Sequence, residues 1–139
     1  MAVLLQLAPD FWEVGDLTFL EPWVPGSIQR VFYIYGAGDI QRAGHGHYET
    51  FHAVVCLRGS CRIGIANGFQ EIEYSLHSPQ QCLVLRPEDW HFVDSFSEDA
   101  IMIVLSNTTY SAADYFVEKP VLQVKASEIC LSSTNELAV

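Results

Sequence analysis

Three of the chain's five histidines lie in the eleven residues from Arg42 to His52, which read RAGHGHYETFH. Imidazole titrates at about pH 6.5, so it both takes and gives a proton near neutrality, and its neutral form ligates metals. The segment therefore admits a metal site, an acid–base pair, or a polar strand end with no chemistry. Side chains alternate along a strand, so His45 and His47 share a face. Gly44 and Gly46 flank His45 and remove bulk beside it, which suits the approach of a ligand or a simple bulge. Arg42 is near enough along the chain to reach the rim of any cavity that face lines. The metal reading takes His45, His47, His52 and His91, since neutral imidazoles suit zinc, iron, nickel or copper. The acid–base reading takes the same face and no metal.

What must position these residues is a succession of short strands. DLTFLEPW is followed by a Pro25–Gly26 break. IQRVFYIYG alternates and carries β-branched and aromatic residues, the composition of a strand. HAVVCLRGSCRIGIANGFQEIEY reads as a hairpin pair, with Asn67–Gly68 as a tight-turn signal. CLVLRPEDW, HFVDSFS and AIMIVLSNTTY continue the pattern, punctuated by Gly59, Pro79 and Pro87. SAADYFVE is the one helix candidate before the tail, with Ser111 as cap and Asp114 as the acid of a capping box. The tail, KASEICLSSTNELAV, reads equally as a short helix or a frayed end. The expected fold is all-β: one domain over residues 1–139, a sandwich or barrel closing as a jelly roll, with a short C-terminal helical segment. A small barrel leaves a ligand cavity at its mouth.

Charge narrows the partners. Seven Lys plus Arg against 17 Asp plus Glu give a net charge of −10. That opposes nucleic-acid binding and an anionic membrane surface. It leaves room for one small anionic ligand, because five of the seven cations are arginines, the better phosphate partners. Arg42, Arg58, Arg62 and Arg86 are the candidates to hold a pyrophosphate. Cys56, Cys61, Cys82 and Cys130 form no CxxC pair, so they read as reduced structural thiols of a cytoplasmic protein. The N-terminal MAVLLQLAPDF has no positive n-region and reads as a first strand, not a signal peptide. No apolar run approaches the length of a membrane span.

The histidine spacing resembles the first cupin motif, H-x-H followed by an acid and a closing glycine. His45 and His47 fit it, His52 stands where the acid would be, and Gly59 is the closing glycine. RPEDWH resembles the second motif with His91 as ligand, although Arg86 and Glu88 replace its usual proline and glycine. PGSIQRVFYIYG, RAGHGH, CLRGSCRI and WHFVDSFSEDAIMIVLSNTTYSAADYF, taken in order, resemble the nucleotide-sugar 3,4-ketoisomerases. These are small cupins that act on dTDP-4-keto-6-deoxyglucose, and the resemblance runs from about Leu17 to Phe116. It implies a cupin jelly roll, a homodimer, a nucleotide-sugar substrate and no cofactor. It implies that His45 and His47 are the catalytic pair, with Tyr35 and Arg42 beside them. Tyr33, which shares a strand face with Tyr35, and Arg62, Arg86 and Trp90 are expected to hold substrate or pack under the site. Trp12, Trp23 and Phe69 are candidates to stack on the base.

The implied reaction moves a ketone from C4 to C3 of a hexose through an enediol or enediolate. It needs a base for the C3 proton, a proton for C4, and donors at the developing oxyanion. His47 is expected as the main base with His45 in support, an order that spacing leaves open. The relatives usually carry glutamine near His52, a lysine at Tyr48 and an arginine at Val14. With His91, His52 keeps the divalent-metal alternative open, and a non-catalytic nucleotide-sugar binder is the third reading.

Overall fold

A computed structural model describes residues 1–7 and 24–123, together with the backbone of two short strands at 9–11 and 16–18. The described residues form twelve strands: β1 (Val3–Gln6), β2 (Pro9–Phe11), β3 (Asp16–Thr18), β4 (Arg30–Tyr35), β5 (Arg42–His47), β6 (His52–Arg58), β7 (Cys61–Ala66), β8 (Glu71–Leu76), β9 (Gln81–Leu85), β10 (Trp90–Asp94), β11 (Ile101–Ser106) and β12 (Tyr115–Phe116). Ten of them build two five-stranded sheets, in the orders β1-β9-β6-β11-β4 and β12-β5-β10-β7-β8, and β2 pairs with β3. Every pairing is antiparallel. The all-β expectation stands as two antiparallel sheets packed face to face.

The strands form where β-branched and apolar residues run together. Between the sheets lie Val54 and Cys56 of β6, Ile63 and Ile65 of β7, Leu83 and Leu85 of β9, Val93 of β10, and Met102 and Val104 of β11. The first sheet is also covered on its other face, where Ala53, Val55, Cys82 and Val84 are buried with Leu5, Leu7, Val24, Ile103 and Leu105 against them. That is why HAVVC is an unbroken apolar run instead of an alternating one. Cys56, Cys61 and Cys82 are buried free thiols; Cys130 lies outside the described residues.

Two expectations need correction. HAVVCLRGSCRIGIANGFQEIEY holds one hairpin, β7–β8, closed at Asn67, whose Oδ1 accepts the amides of Phe69 and Gln70 at 2.9 Å each. β6 and β7 belong to different sheets, and the turn at Gly59 (φ 70°) carries the chain between them. SAADYFVE is not an α-helix. It makes one 3-10 turn, Ala112–Asp114, and then pairs through β12 with β5. Ser111 makes no side-chain cap, and the Asp114 carboxylate is drawn away to His47. The C-terminal segment expected to be helical lies outside the described residues beyond residue 123.

Candidate active site

The mouth of the sandwich encloses a cavity of about 450 Å³, within the usual range for a small-molecule site. Its polar wall comes from the ends of strands in both sheets. His45 and His47 lie on β5, His91 faces His45 across the β5–β10 ladder, and Tyr115 of β12 faces His47. From the opposite sheet, β6 supplies His52, and β4 supplies Arg30 and Phe32.

Two glycines set this geometry, for different reasons. The β5–β10 register slips at His91, so Gly44 is an extra residue, and both Ala43 (φ 66°) and Gly44 (φ 80°) sit in the left-handed region. This bulge bends the strand immediately before His45 and re-aims it. At Gly46, a Cβ would collide with the ring of Phe116. The missing side chain therefore admits β12, not a ligand, and so brings Asp114 and Tyr115 to His47.

The four histidines pack closely but differ in what they are free to do. His47 is 2 % exposed. Its Nδ1 is 2.9 Å from Asp114 Oδ2, and its Nε2 is 3.0 Å from His52 Nε2. His52 Nδ1 is 2.6 Å from Ser106 Oγ. His91 donates through Nδ1 to the Asp89 carbonyl at 3.0 Å, which leaves Nε2 as an acceptor. Among the described residues, no hydrogen bond engages the ring of His45, which meets His47 at 5.1 Å, His91 at 5.0 Å and Tyr115 at 4.8 Å between ring centres. Burial, reinforced by neighbouring His47 and Arg30, lowers the His45 pKa from 6.5 to about 4. Burial also takes His91 to about 4, against its hydrogen bond to Asp89. Burial lowers His52 as well, and lowers His47 despite the opposing pull of Asp114. All four rings are thus neutral at pH 7. For Asp114, burial pushes the pKa up, but hydrogen bonds from Thr50, His47 and the Glu49 amide outweigh it and keep the carboxylate ionised.

Arg30 was missed in the sequence. Its Nη1 is 3.5 Å from the Tyr115 hydroxyl, and its guanidinium lies 5.7 Å from the Phe32 ring and 6.0 Å from that of Tyr110. Among the described residues it has no carboxylate partner, and its buried Nε has no hydrogen-bond partner. A fixed cation therefore faces the histidines. Asp114, Tyr115 and Ser106 are likewise not marked by the sequence, where Asp114 reads as the acid of a helix cap.

The other expected site residues divide. Arg42 lines the cavity, and Tyr33 borders it although 64 % exposed. Tyr35 is 70 % exposed, stacks on Tyr33 at 5.9 Å and does not line the cavity. Alternation along β4 turns Arg30, Phe32 and Ile34 inward and sends Tyr35 out. Arg62 lies on the outer face, bound to Asp94 at 2.8 and 2.6 Å and to Glu73 at 3.4 Å. Arg86 borders a separate groove with Val3, Leu5, Phe51 and Pro87. Trp90 points away from its neighbour His91 and donates to the Val117 carbonyl at 3.1 Å. Arg58 meets Asp99 at 3.5 Å on the surface, and Phe69 is exposed at the β7–β8 turn. Trp12 and Trp23 lie outside the described residues. Of the four expected metal ligands, His45, His47 and His91 bring ligand atoms within 4.8 Å of one another, a trio able to hold a divalent cation. His52 stands outside that group; it meets Ser106 and His47, and His47 would have to release His52 to offer Nε2 to a cation.

Comparison with known proteins bears on the family and the fold. Residues 3–123 match the family described as FdtA: WxcM-like, C-terminal. A TDP-4-oxo-6-deoxy-alpha-D-glucose-3,4-oxoisomerase from Aneurinibacillus thermoaerophilus is 39 % identical over 93 residues, which are 66 % of this chain and 67 % of that protein. Among solved structures, the TDP-fucose-3,4-ketoisomerase WlaRA from Campylobacter jejuni superposes with a TM-score of 0.78 at 28 % identity, covering 84 % of this chain and 89 % of the other. The sugar 3,4-ketoisomerase QdtA from Thermoanaerobacterium thermosaccharolyticum, in complex with TDP, also gives 0.78 at 28 % identity, covering 84 % and 88 %. No helix among the described residues is long and apolar enough to cross a membrane.

Proposed function

Because the chain belongs to the FdtA family, we propose that it is a nucleotide-sugar 3,4-ketoisomerase, moving the keto group of a TDP-linked 4-keto-6-deoxyhexose from C4 to C3. The observation that carries this reading is the set of groups on one cavity: His45 with a neutral ring that no hydrogen bond engages, Tyr115 beside it, and behind that tyrosine Arg30, which has no carboxylate partner, all among the described residues. The two-sheet order supports the finer assignment of a cupin jelly roll. The homodimer implied by the resemblance is proposed with it.

The chemistry follows from the free groups. His45 takes the C3 proton, which is acidic because it is alpha to the C4 carbonyl. As the C–H bond breaks, its electrons form the C3–C4 double bond, and charge develops on the C4 oxygen. Arg30 and the Tyr115 hydroxyl are the donors placed to meet that charge. A proton returned to C4, a second delivered to the C4 oxygen, and loss of the O3 proton give the C3 ketone and a C4 hydroxyl; two protons leave and two arrive, so atoms and electrons balance without an oxidant. His47, expected as the base, is held through both nitrogens, and we assign the base role to His45. Arg42, with Tyr33 at the rim, is assigned to the diphosphate.

NMR of dTDP-4-keto-6-deoxyglucose in deuterated water tests the reading. The expected outcome is a C3 ketone with deuterium at C4. His45→Asn should lower the rate by about 10²–10⁴-fold, the range of a general base. Unchanged substrate that keeps its C3 proton would make the protein a binder. The His45, His47 and His91 trio supports the metal-dependent alternative; activity that is lost to a chelator and restored by a divalent metal would select it.

A further inference from the structure

Four side chains from both sheets form one hydrogen-bonded row: Asp114, His47, His52 and Ser106. Asp114 is its fixed point. Its carboxylate takes the Thr50 hydroxyl, the amides of Tyr48 and Glu49 at 3.2 and 2.7 Å, and His47 Nδ1 at 2.9 Å. A carboxylate only accepts, so His47 carries its hydrogen on Nδ1. A neutral imidazole then has a lone pair on Nε2. His52 Nε2, 3.0 Å away, must be the donor. His52 Nδ1 is in turn the acceptor of the Ser106 hydroxyl at 2.6 Å. One ionised group thus dictates every hydrogen in the row.

The row constrains the chemistry. A proton arriving on His47 Nε2 would set two N–H groups against each other across 3.0 Å. At rest both nitrogens of His47 are thus engaged, and those of His45 are not, among the described residues. Its ring stands edge-on to His45, at an interplanar angle of 88°, and packs on Tyr115 at 4.4 Å.

We propose that His52 is a positioning residue: by donating to His47 Nε2 it fixes the tautomer and orientation of His47, and so leaves His45 as the histidine that meets the substrate. The proposal rests on the ketoisomerase reading for what His45 does, but not for the hydrogen-bond row. Its chemical requirement is one donor and one acceptor about an imidazole's width apart, which glutamine supplies and leucine does not.

The test compares wild type with His52→Gln and His52→Leu, using ¹⁵N imidazole spectra of His47 without substrate and steady-state kinetics with it. In wild type and His52→Gln, His47 is expected to be a single tautomer protonated at Nδ1. In His52→Leu, that tautomer should become mixed, and kcat should fall about 10–100-fold, the range for partners that orient a functional imidazole. KM should move far less, and glutamine should restore kcat. His52→Asn, too short to bridge, replaces the leucine variant if that chain does not fold. Wild-type kcat and an unmoved tautomer in His52→Leu or His52→Asn would overturn the proposal. So would a His52→Gln protein that keeps the tautomer yet loses activity as fully as the leucine variant. If the wild type moves no keto group, the ketoisomerase reading fails, while the spectra still judge the row.

Discussion

Arg30 and Arg62 look alike in composition and even in setting: each guanidinium lies 5.7 Å from a phenylalanine ring. Arg62, on the outer face of the second sheet, is answered by Asp94 and Glu73. Arg30, on the inner face of the first, is answered among the described residues only by the Tyr115 hydroxyl. An arginine whose charge is already matched holds a surface together. An unmatched one leaves its field to its neighbours, here three histidines whose protonation it opposes. The same contrast divides the second sheet itself, since β10 sends His91 inward and Trp90 outward.

The most severe test of this contrast is to delete the two charges in turn. Arg30→Met should lower kcat/KM by about 10²–10³-fold, the cost of one oxyanion donor. Arg62→Met should stay within about twofold in kcat/KM and leave the urea midpoint near that of the wild type, as surface changes do. Equal losses in the two variants would remove the distinction.

Acid should separate the regions next. His45 and His91 fall from 6.5 to about 4 on folding, so between those values the unfolded chain binds more protons. Stability from this region is complete above about pH 6.5 and is lost as pH falls towards 4. The outer region behaves otherwise: the Arg62 hydrogen bonds depress Asp94 below its ordinary 3.8, so its contribution persists until pH falls beneath that value. The urea midpoint should therefore drop between pH 6.5 and 4. A flat midpoint there would break the assignment.

The smallest effect belongs to the turn between the regions. Glu88 holds φ of 66° while its amide donates to the His47 carbonyl at 2.8 Å. A left-handed conformation costs an L-residue about 1–2 kcal/mol. Glu88→Gly should raise stability by about 1 kcal/mol with activity unchanged, as read by denaturant titration.

Much of this was written plainly in the chain. Strand-forming residues between turn signals marked β4, β9, β10 and β11, and the HxH spacing put His45 and His47 on one cavity. Parity was legible too: Tyr33 and Tyr35 do share a relation along β4. What RVFYIY does not encode is which parity faces inward, because both sets are apolar or aromatic and only the arginine interrupts them. The packing of the two sheets settles it: Arg30 and Phe32 line the cavity and Tyr35 does not. The outward places of Arg62 and Arg86 are set by residues remote in sequence: Asp94 binds Arg62, and Arg86 borders a groove with Val3 and Leu5 of β1. Asp114 was hidden because SAADYF satisfies local helix-capping rules. Its pairing with β5 depends on the space above Gly46, which no local propensity reports. Glu88, by contrast, stands where the resemblance of RPEDWH leads one to expect a glycine, and its φ of 66° lies in the left-handed region that glycine favours.

The row from Asp114 to Ser106 has a mechanical meaning as well. Asp114 and His47 are held by the second sheet, His52 and Ser106 by the first. The 3.0 Å link between the two imidazoles is thus a stitch across the open lip of the sandwich. Prying the sheets apart at that lip breaks the stitch before it reaches the apolar filling below. Such a protein would lose its catalytic alignment while most of its fold remained, so its working site doubles as the gauge of whether its mouth is shut.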